Sequence, residues 1–329
     1  MTSAPHSLAE AHPEAYQAAR DGVVRYDASA CGRLRMLGRD RAELLHRLST
    51  NDVRSLTAGM GLRTVLTNHN ARIIDLLTVY ALPEHLLLVT SPGQGTPIRK
   101  LLARNIFFND KVTIEAITDH TVQWQLYGPQ AATLLQKLTG LPVGEWALHH
   151  IQATQIAGAG AWVARTLPLG DTSSPAFTIF ALQADWLEIA PRFEDLPTLD
   201  EATYQVLRIE AGYPAWQHEL SLDYIPLETR LRDAVSFTKG CYIGQEIIAR
   251  MDSRQRLAKQ LMRLRLDTPV EVGVKLQLDG KEQGTLTSIA HSPEQGLIGL
   301  GYIRTEHAHP GVSLQAGTAH AEVEELPGG

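Results

Sequence analysis

The chain has 329 residues, which exceeds one ordinary domain, so two or three compact units are expected. Hydrophobic residues make up 44% of the chain and charged residues 20%, a composition that argues against disorder. The net charge of −6 supplies no general basic surface for a nucleic acid, and no apolar run approaches the roughly 18 residues needed to span a bilayer. We therefore predict a globular protein with neither direct nucleic-acid binding nor a membrane segment.

The two cysteines, Cys31 and Cys241, are too few for a disulfide framework and lack the paired spacing of a zinc or iron–sulfur site. This pattern fits a reducing compartment, so we predict a cytoplasmic protein without a bound metal. Residues 1–20 contain Glu10, Glu14 and two prolines but no apolar core. We expect them to form a flexible leader and not a secretory signal.

The body of the chain, residues 21–255, alternates between strand-like and helix-like patterns, with an expected division near residue 120. In the first part, helices are predicted at 39–48 and 96–107, and strands at 63–67, 73–82, 86–90 and 111–117. In the second part, strands are predicted at 122–127, 162–167 and 177–182, and helices at 129–138 and 200–211. Asp200 has the side chain of an N-cap for the last helix. Two mixed α/β halves of similar order suggest a pair of ferredoxin-like units.

The pattern changes in residues 256–329, where short alternating runs follow one another without a helical stretch. Strands are predicted at 261–266, 274–278, 285–289, 296–303, 312–315 and 321–325. A small all-β barrel is the best interpretation of such a segment.

Residues 239–246 read Lys-Gly-Cys-Tyr-Ile-Gly-Gln-Glu and form the densest chemical signal in the chain. Gly240 and Gly244 give the backbone freedom around Cys241, and Gln245 opens a run that can be helical. A helix N-terminus and Lys239 would both favour the thiolate form of Cys241. The alternative is a buried, inert cysteine in a turn, because free cysteine is among the most buried residue types.

This octapeptide resembles the signature of the YgfZ-type folate-binding proteins, which are relatives of the glycine-cleavage T-protein, an aminomethyltransferase. The segments at 208–214 and 284–302 also resemble this family, and the similarity covers nearly the whole chain. It implies an α+β, T-protein-like fold with two interleaved ferredoxin-like α/β lobes and a C-terminal small β-barrel. It also implies non-covalent binding of tetrahydrofolate or a derivative.

The resemblance assigns roles to two carboxylates. Glu210 matches the T-protein glutamate that binds the pterin ring, and a carboxylate suits the adjacent N–H donors of a pterin. Asp75 matches the first of two adjacent T-protein aspartates, but Leu76 stands where the second would be. Because that second carboxylate would serve the reacting nitrogen, its loss puts aminomethyl transfer in doubt.

We therefore predict a tetrahydrofolate-binding protein that supports iron–sulfur cluster assembly or repair and, through it, tRNA modification, with iron–sulfur client proteins as partners. The residues expected to carry the chemistry are Cys241 and Lys239. The residues expected to contact folate are Glu210, Asp75, Gly240, Gly244 and Gln245. The alternatives are a folate-dependent aminomethyltransferase or demethylase and a non-catalytic folate-binding module.

Overall fold

The computed structural model describes residues 8–254 and 257–327. The helices are α1 (Pro13–Asp21), α2 (Arg41–Leu48), α3 (Gly95–Ala103), α4 (Ala131–Thr139), α5 (Gln183–Ile189), α6 (Glu201–Glu210) and α7 (Gln245–Arg254). The strands up to the middle of the chain are β1 (Ala9–Glu10), β2 (Val24–Asp27), β3 (Cys31–Leu37), β4 (Gly61–Thr67), β5 (Ile73–Ala81), β6 (Leu86–Pro92), β7 (Thr113–Ala116), β8 (Thr121–Tyr127), β9 (Ile151–Ile156), β10 (Ala159–Thr166) and β11 (Ala176–Leu182). The later strands are β12 (Lys259–Leu266), β13 (Lys275–Leu278), β14 (Lys281–Ser292), β15 (Gly296–Arg304), β16 (Ser313–Ala316) and β17 (Ala319–Glu324).

The first lobe is an antiparallel sheet of order β4-β5-β6-β3-β7 with α2 and α3 packed on one face. Leu44, Leu45 and Leu48 recur at helical spacing, and all three are buried in the core of this lobe. Their burial explains why this segment forms a helix. The predicted meander and the predicted helices of this part are confirmed.

The second lobe is an antiparallel sheet of order β2-β8-β11-β10-β9, with α4 and α5 contributing to its core. Strand β2 precedes the whole first sheet in the chain but pairs with β8 in the second. The two lobes are therefore interleaved, as predicted. The sequence patterns missed β9 and α5, which are only six and seven residues long and therefore too short to show a clear period.

The C-terminal unit is a closed barrel of six strands. Its order is β14-β13-β16-β17-β12-β15, and pairing of β14 with β15 closes the ring. Alternating residues of these strands fill the interior, which confirms the predicted barrel. The predicted boundary between body and barrel, at residues 255 and 256, lies outside the described residues.

The expectation of a flexible leader is wrong for residues 8–20. Strand β1 adds in parallel to β14 of the barrel, and α1 packs against the body. Ala15, Tyr16 and Ala19 form its buried face. This face is built from small residues and one tyrosine, so it gives no strong apolar pattern, although its burial is nearly complete. Residues 1–7 lie outside the described part of the chain.

The three units meet around α6, and hydroxyl groups of the barrel bond to a buried ion pair between this helix and the segment that follows it. Arg208 lies 3.1 Å from Glu219 and donates to the hydroxyl of Ser288 on β14 at 2.7 Å. Burial acts against the charge of Glu219, but the Arg208 guanidinium holds the pKa of that carboxyl below its usual range. The N-cap predicted for α6 is confirmed, since the Asp200 side chain accepts from the backbone of Thr203 at 2.7 Å.

Candidate functional site

Residues 235–244, called here the thiol loop, carry Cys241 and lie against the first lobe. The hydroxyl of Thr67 donates to the carbonyl oxygen of Ile243 at 2.6 Å. At the start of the loop, the backbone amide of Ser236 donates to the carbonyl oxygen of Thr50 at 3.0 Å. Cys241 is exposed between these two fixed points. The structure therefore presents the thiol to solvent on a loop that is fastened on both sides, unlike a buried, inert cysteine.

Of the two glycines in the thiol loop, only Gly244 occupies a position that requires glycine. Gly244 has φ = +85°, and a Cβ at this position would lie 2.9 Å from backbone atoms of Asn68 and Ala71. Only glycine suits a left-handed conformation at such a close approach. Gly240 has no such constraint, because the nearest atom to its added Cβ would be Nη2 of Arg54 at 4.0 Å.

Helix α7 begins at Gln245, four residues after Cys241, as the sequence predicts. The backbone amide of Gln245 donates to the carbonyl oxygen of Tyr242 at 3.2 Å. Cys241 thus precedes the positive end of a helix dipole, an arrangement that favours a negative charge nearby.

Lys239 has a structural task that the sequence did not indicate. Its ammonium is buried and donates to the carbonyl oxygens of His46, Ser49 and Asn51, at 2.6 Å for Ser49 and 2.9 Å for Asn51. An ammonium has three N–H donors, so none is left for a thiolate or a substrate. Burial lowers the pKa of Lys239 to about 8. These contacts cap the end of α2, and the chemical role of Lys239 stays a prediction.

A cavity of about 990 Å³ opens where the lobes and the barrel meet. Its wall includes Arg63 of β4, Leu148 of the second lobe, Gln260 of β12 and the segment 211–214 that follows α6. Met251 and Asp252 bring α7 to the same wall. A volume of several hundred cubic ångströms at a junction of domains is typical of a small-molecule site.

The cavity wall combines one aromatic ring with several charged groups. Arg63 pairs with Asp233 at 2.6 Å, and Arg230 and Arg232 also line the wall. Burial raises the pKa of Tyr213, and the nearby Arg63 opposes this shift. Asp233 and Asp252 lie on the same wall, and Asp252 pairs with Arg232 at 2.7 Å. The wall therefore offers an aromatic ring and guanidinium groups to a ligand. Sequence reasoning did not identify these residues, because they come from segments that are distant in the chain.

Glu210 is the last residue of α6 and directly precedes the cavity segment, but its carboxylate points toward other elements. Oε1 accepts hydrogen bonds from Tyr16 of α1, at 2.8 Å, and from Ser292 of β14. Oε2 lies 3.6 Å from Arg20 and has no hydrogen-bond partner among the described residues. Burial raises the pKa of Glu210. The pterin contact of Glu210 stays a prediction, and Oε2 is the atom that could accept a hydrogen bond from a pterin.

Asp75 is fully buried on β5, where Oδ1 accepts from the backbone of Leu76 at 3.0 Å and Oδ2 from the backbone of Ser91 at 3.2 Å. Burial raises the pKa of Asp75 to about 7. Leu76 is only partly buried and packs against the apolar cluster between the units. Because neighbours in a strand face opposite sides of the sheet, the side chains of Asp75 and Leu76 point in opposite directions.

The structure gathers part of the predicted site and separates the rest. Cys241, Gly240, Gly244 and Gln245 share one loop, whereas Asp75 and Glu210 lie in other elements. None of these residues lines the cavity. Helix α7, which follows the thiol loop, connects the loop to the cavity wall.

Within residues 8–254 and 257–327, no group of three or more histidine, cysteine or acidic side chains could hold a metal ion. No helix in this part of the chain is long and apolar enough to cross a membrane.

Comparison with known proteins gives a consistent result. Residues 4–239 match the GCVT N-terminal domain family. A putative chloroplastic transferase of Arabidopsis thaliana is 33% identical over 313 residues, which is 92% of this chain and 70% of that protein. An aminomethyltransferase of Caldanaerobacter subterraneus is 29% identical over 91% of this chain and 82% of its own length.

The fold is also found in a solved structure. The crystal structure of the glycine cleavage system aminomethyltransferase T from Bartonella henselae matches with a TM-score of 0.84 and 22% sequence identity, covering 95% of this chain and 88% of that one. The predicted T-protein-like fold is therefore confirmed.

Proposed function

The chain belongs to the T-protein family, which the GCVT N-terminal domain defines, and on this basis we propose that it binds a reduced folate and uses Cys241 to support iron–sulfur proteins. In this proposal the protein assists the assembly or repair of an iron–sulfur cluster in a client enzyme, and tRNA modification depends on that client. The observation that carries this proposal is an exposed thiol on a loop fastened at both ends. The YgfZ-type form of residues 239–246 points in the same direction.

Features of the cavity support the proposed folate binding. A folate has a flat pterin, an aromatic linker and a glutamate with two carboxylates. Tyr213 contributes an aromatic ring, and Arg230 and Arg232 place guanidinium groups around the same space, the latter in an exposed ion pair with Asp252. Arginine suits carboxylates because its planar guanidinium donates two parallel hydrogen bonds. Tetrahydrofolate or a derivative would therefore bind here without a covalent bond, and when bound it would supply one-carbon chemistry.

Leu76 separates this proposal from aminomethyl transfer. The side chain at this position packs at the junction of the units, so an aspartate here would face the centre of the molecule. Leucine can neither take up a proton nor stabilise a positive charge on a substrate amine. Asp75 faces the other side of β5 and is held by two backbone amides.

The cluster itself would belong to the client protein, since the described residues bring together no set of metal ligands in this chain. An exposed thiol can act on such a client as a transient ligand or acceptor. This role requires a reducing compartment such as the cytoplasm, where the thiol stays free.

Aminomethyl transfer is the second candidate, because the similarity to aminomethyltransferases extends over more than nine-tenths of the chain. It predicts transfer of a one-carbon unit from an aminomethylated donor to tetrahydrofolate. It also predicts that Leu76→Asp raises this activity and that Cys241→Ser leaves it unchanged.

A deletion strain tests the proposal. We expect the wild-type protein and the matched variant Cys31→Ser to restore iron–sulfur enzyme activities, and Cys241→Ser to fail although it folds and binds tetrahydrofolate. Full rescue by Cys241→Ser would refute the role of the thiol and favour a folate-binding module. Calorimetry with tetrahydrofolate measures binding separately, and Tyr213→Ala should weaken it.

A further inference from the structure

Arg232 contacts both segments that flank Cys241. Its guanidinium donates to Oδ1 of Asp252 at 2.7 Å, and Asp252 belongs to α7, which follows the thiol. The same guanidinium lies over the ring of Phe237, 4.5 Å from its centre, and Phe237 precedes the thiol in the thiol loop. One side chain therefore bridges the two ends of the segment that carries Cys241.

Arg232 also lines the central cavity, as does Asp252. The Arg232 side chain is 67% exposed, so its ion pair is accessible to a ligand from the cavity. An exposed ion pair of this kind is weak, and a second carboxylate can compete for the guanidinium. Arg63 differs, because it is mostly buried and donates twice to Asp233.

We propose that Arg232 is a positioning residue that couples the occupant of the cavity to the reactivity of Cys241. An anionic tail in the cavity binds Arg232 and draws it away from Asp252 and Phe237. The thiol loop and α7 then lose the contacts that Arg232 makes with them, and Cys241 becomes more accessible to a reaction partner. This inference rests on the proposed folate binding and adds to it a reason why a folate and a thiol belong to one protein.

The coupling requires the tail and not the pterin. A pterin without a carboxylate has no group that competes with Asp252, so it binds without changing Cys241. A folate with its glutamate does both. Replacement of Arg232 removes this bridge permanently. In such a variant Cys241 is already in its more accessible state, so its reactivity no longer changes when a ligand binds.

The experiment measures alkylation of Cys241 by iodoacetamide in the full chain, with Cys31→Ser as background, together with ligand affinity by calorimetry. The probes are 5-formyltetrahydrofolate and the tail-less 6-methyltetrahydropterin. The variants are Arg232→Ala and, as a matched control, Arg192→Ala, an exposed arginine outside the cavity wall. For the wild type and the control, we expect the folate to accelerate alkylation roughly two- to fivefold and the pterin to leave it unchanged.

Arg232→Ala should react at the accelerated rate without ligand and show no further response. It should also lose affinity for the folate, by roughly tenfold, but keep that for the pterin. If the folate binds the wild type and alkylation does not respond, the coupling is overturned while folate binding stands. If Arg232→Ala responds like the control, the coupling is overturned as well. If neither probe binds the wild type, folate binding itself fails and the coupling fails with it.

Discussion

The hydroxyl of Thr67 donates to the carbonyl oxygen of Ile243 at 2.6 Å, so the end of β4 holds the thiol loop just before α7 begins. The next residue, Gly244, lies against the turn between β4 and β5. The first lobe thus fixes where the thiol loop ends, and a side chain at position 244 would disturb this contact.

Gly244→Ala should destabilise the protein strongly. The residue has φ = +85°, and the added Cβ would lie 2.9 Å from Asn68 and Ala71 backbone atoms, which cannot rotate away. We expect a loss of about 1 to 3 kcal/mol in the free energy of unfolding, measured by denaturant titration. Gly240→Ala is the matched control, because its Cβ would meet nothing closer than 4.0 Å. Equal stability of the two variants would contradict the contact.

Lys239→Ala should lower stability because three carbonyl oxygens at and just after the end of α2 lose their donor. We expect a loss of about 2 to 3 kcal/mol in the free energy of unfolding. Lys137→Ala, on an exposed face of α4, should change little. A stable Lys239→Ala protein with slowed alkylation of Cys241 would instead return Lys239 to a chemical role.

The sequence predicted the thiol segment and the fold better than it predicted the cavity. Cys241, Gly244 and the start of α7 are adjacent in the chain, so local backbone rules and a specific motif identify them together. The cavity joins Arg63, Tyr213 and Asp252, whose proximity depends on how three units pack. The structural contacts of Lys239 were missed for the same reason, since its carbonyl partners lie in α2 and the turn that follows.

Cys241 should react with iodoacetamide much faster than Cys31. Cys241 is exposed, whereas burial raises the pKa of the Cys31 thiol to about 12, so little of it is thiolate at neutral pH. Mass spectrometry of peptides after a timed reaction gives both rates from one sample. Denatured protein is the control, in which the two rates should become similar. Faster modification of Cys31 in the native protein would contradict the exposed thiol.

Glu210→Ala should weaken tetrahydrofolate binding roughly tenfold to a hundredfold if Oε2 accepts from the pterin. It should also lower stability, because Tyr16 and Ser292 lose their shared acceptor. Calorimetry and denaturant titration separate the two effects. Tyr16→Phe is the control, since it removes one of these hydrogen bonds without touching Oε2. Unchanged affinity in a destabilised Glu210→Ala protein would leave Glu210 a purely structural residue.

Asp75 should make stability depend on pH in the direction opposite to a salt-bridged carboxylate. Burial raises its pKa from 3.8 to about 7, so between these values the native state binds a proton that the unfolded state has released. The free energy of unfolding therefore falls as the pH rises through this window, by at most about 1.4 kcal/mol per unit from this group.

Asp75→Asn cannot titrate and lacks this contribution. We expect the variant to gain stability relative to the wild type from pH 5 to pH 8, measured by urea titration at each pH. Asp195→Asn, at an exposed position, should show no such trend. A constant difference between wild type and Asp75→Asn across this range would show that Asp75 is ionised throughout, and it would remove Asp75 as a proton-carrying group near neutral pH.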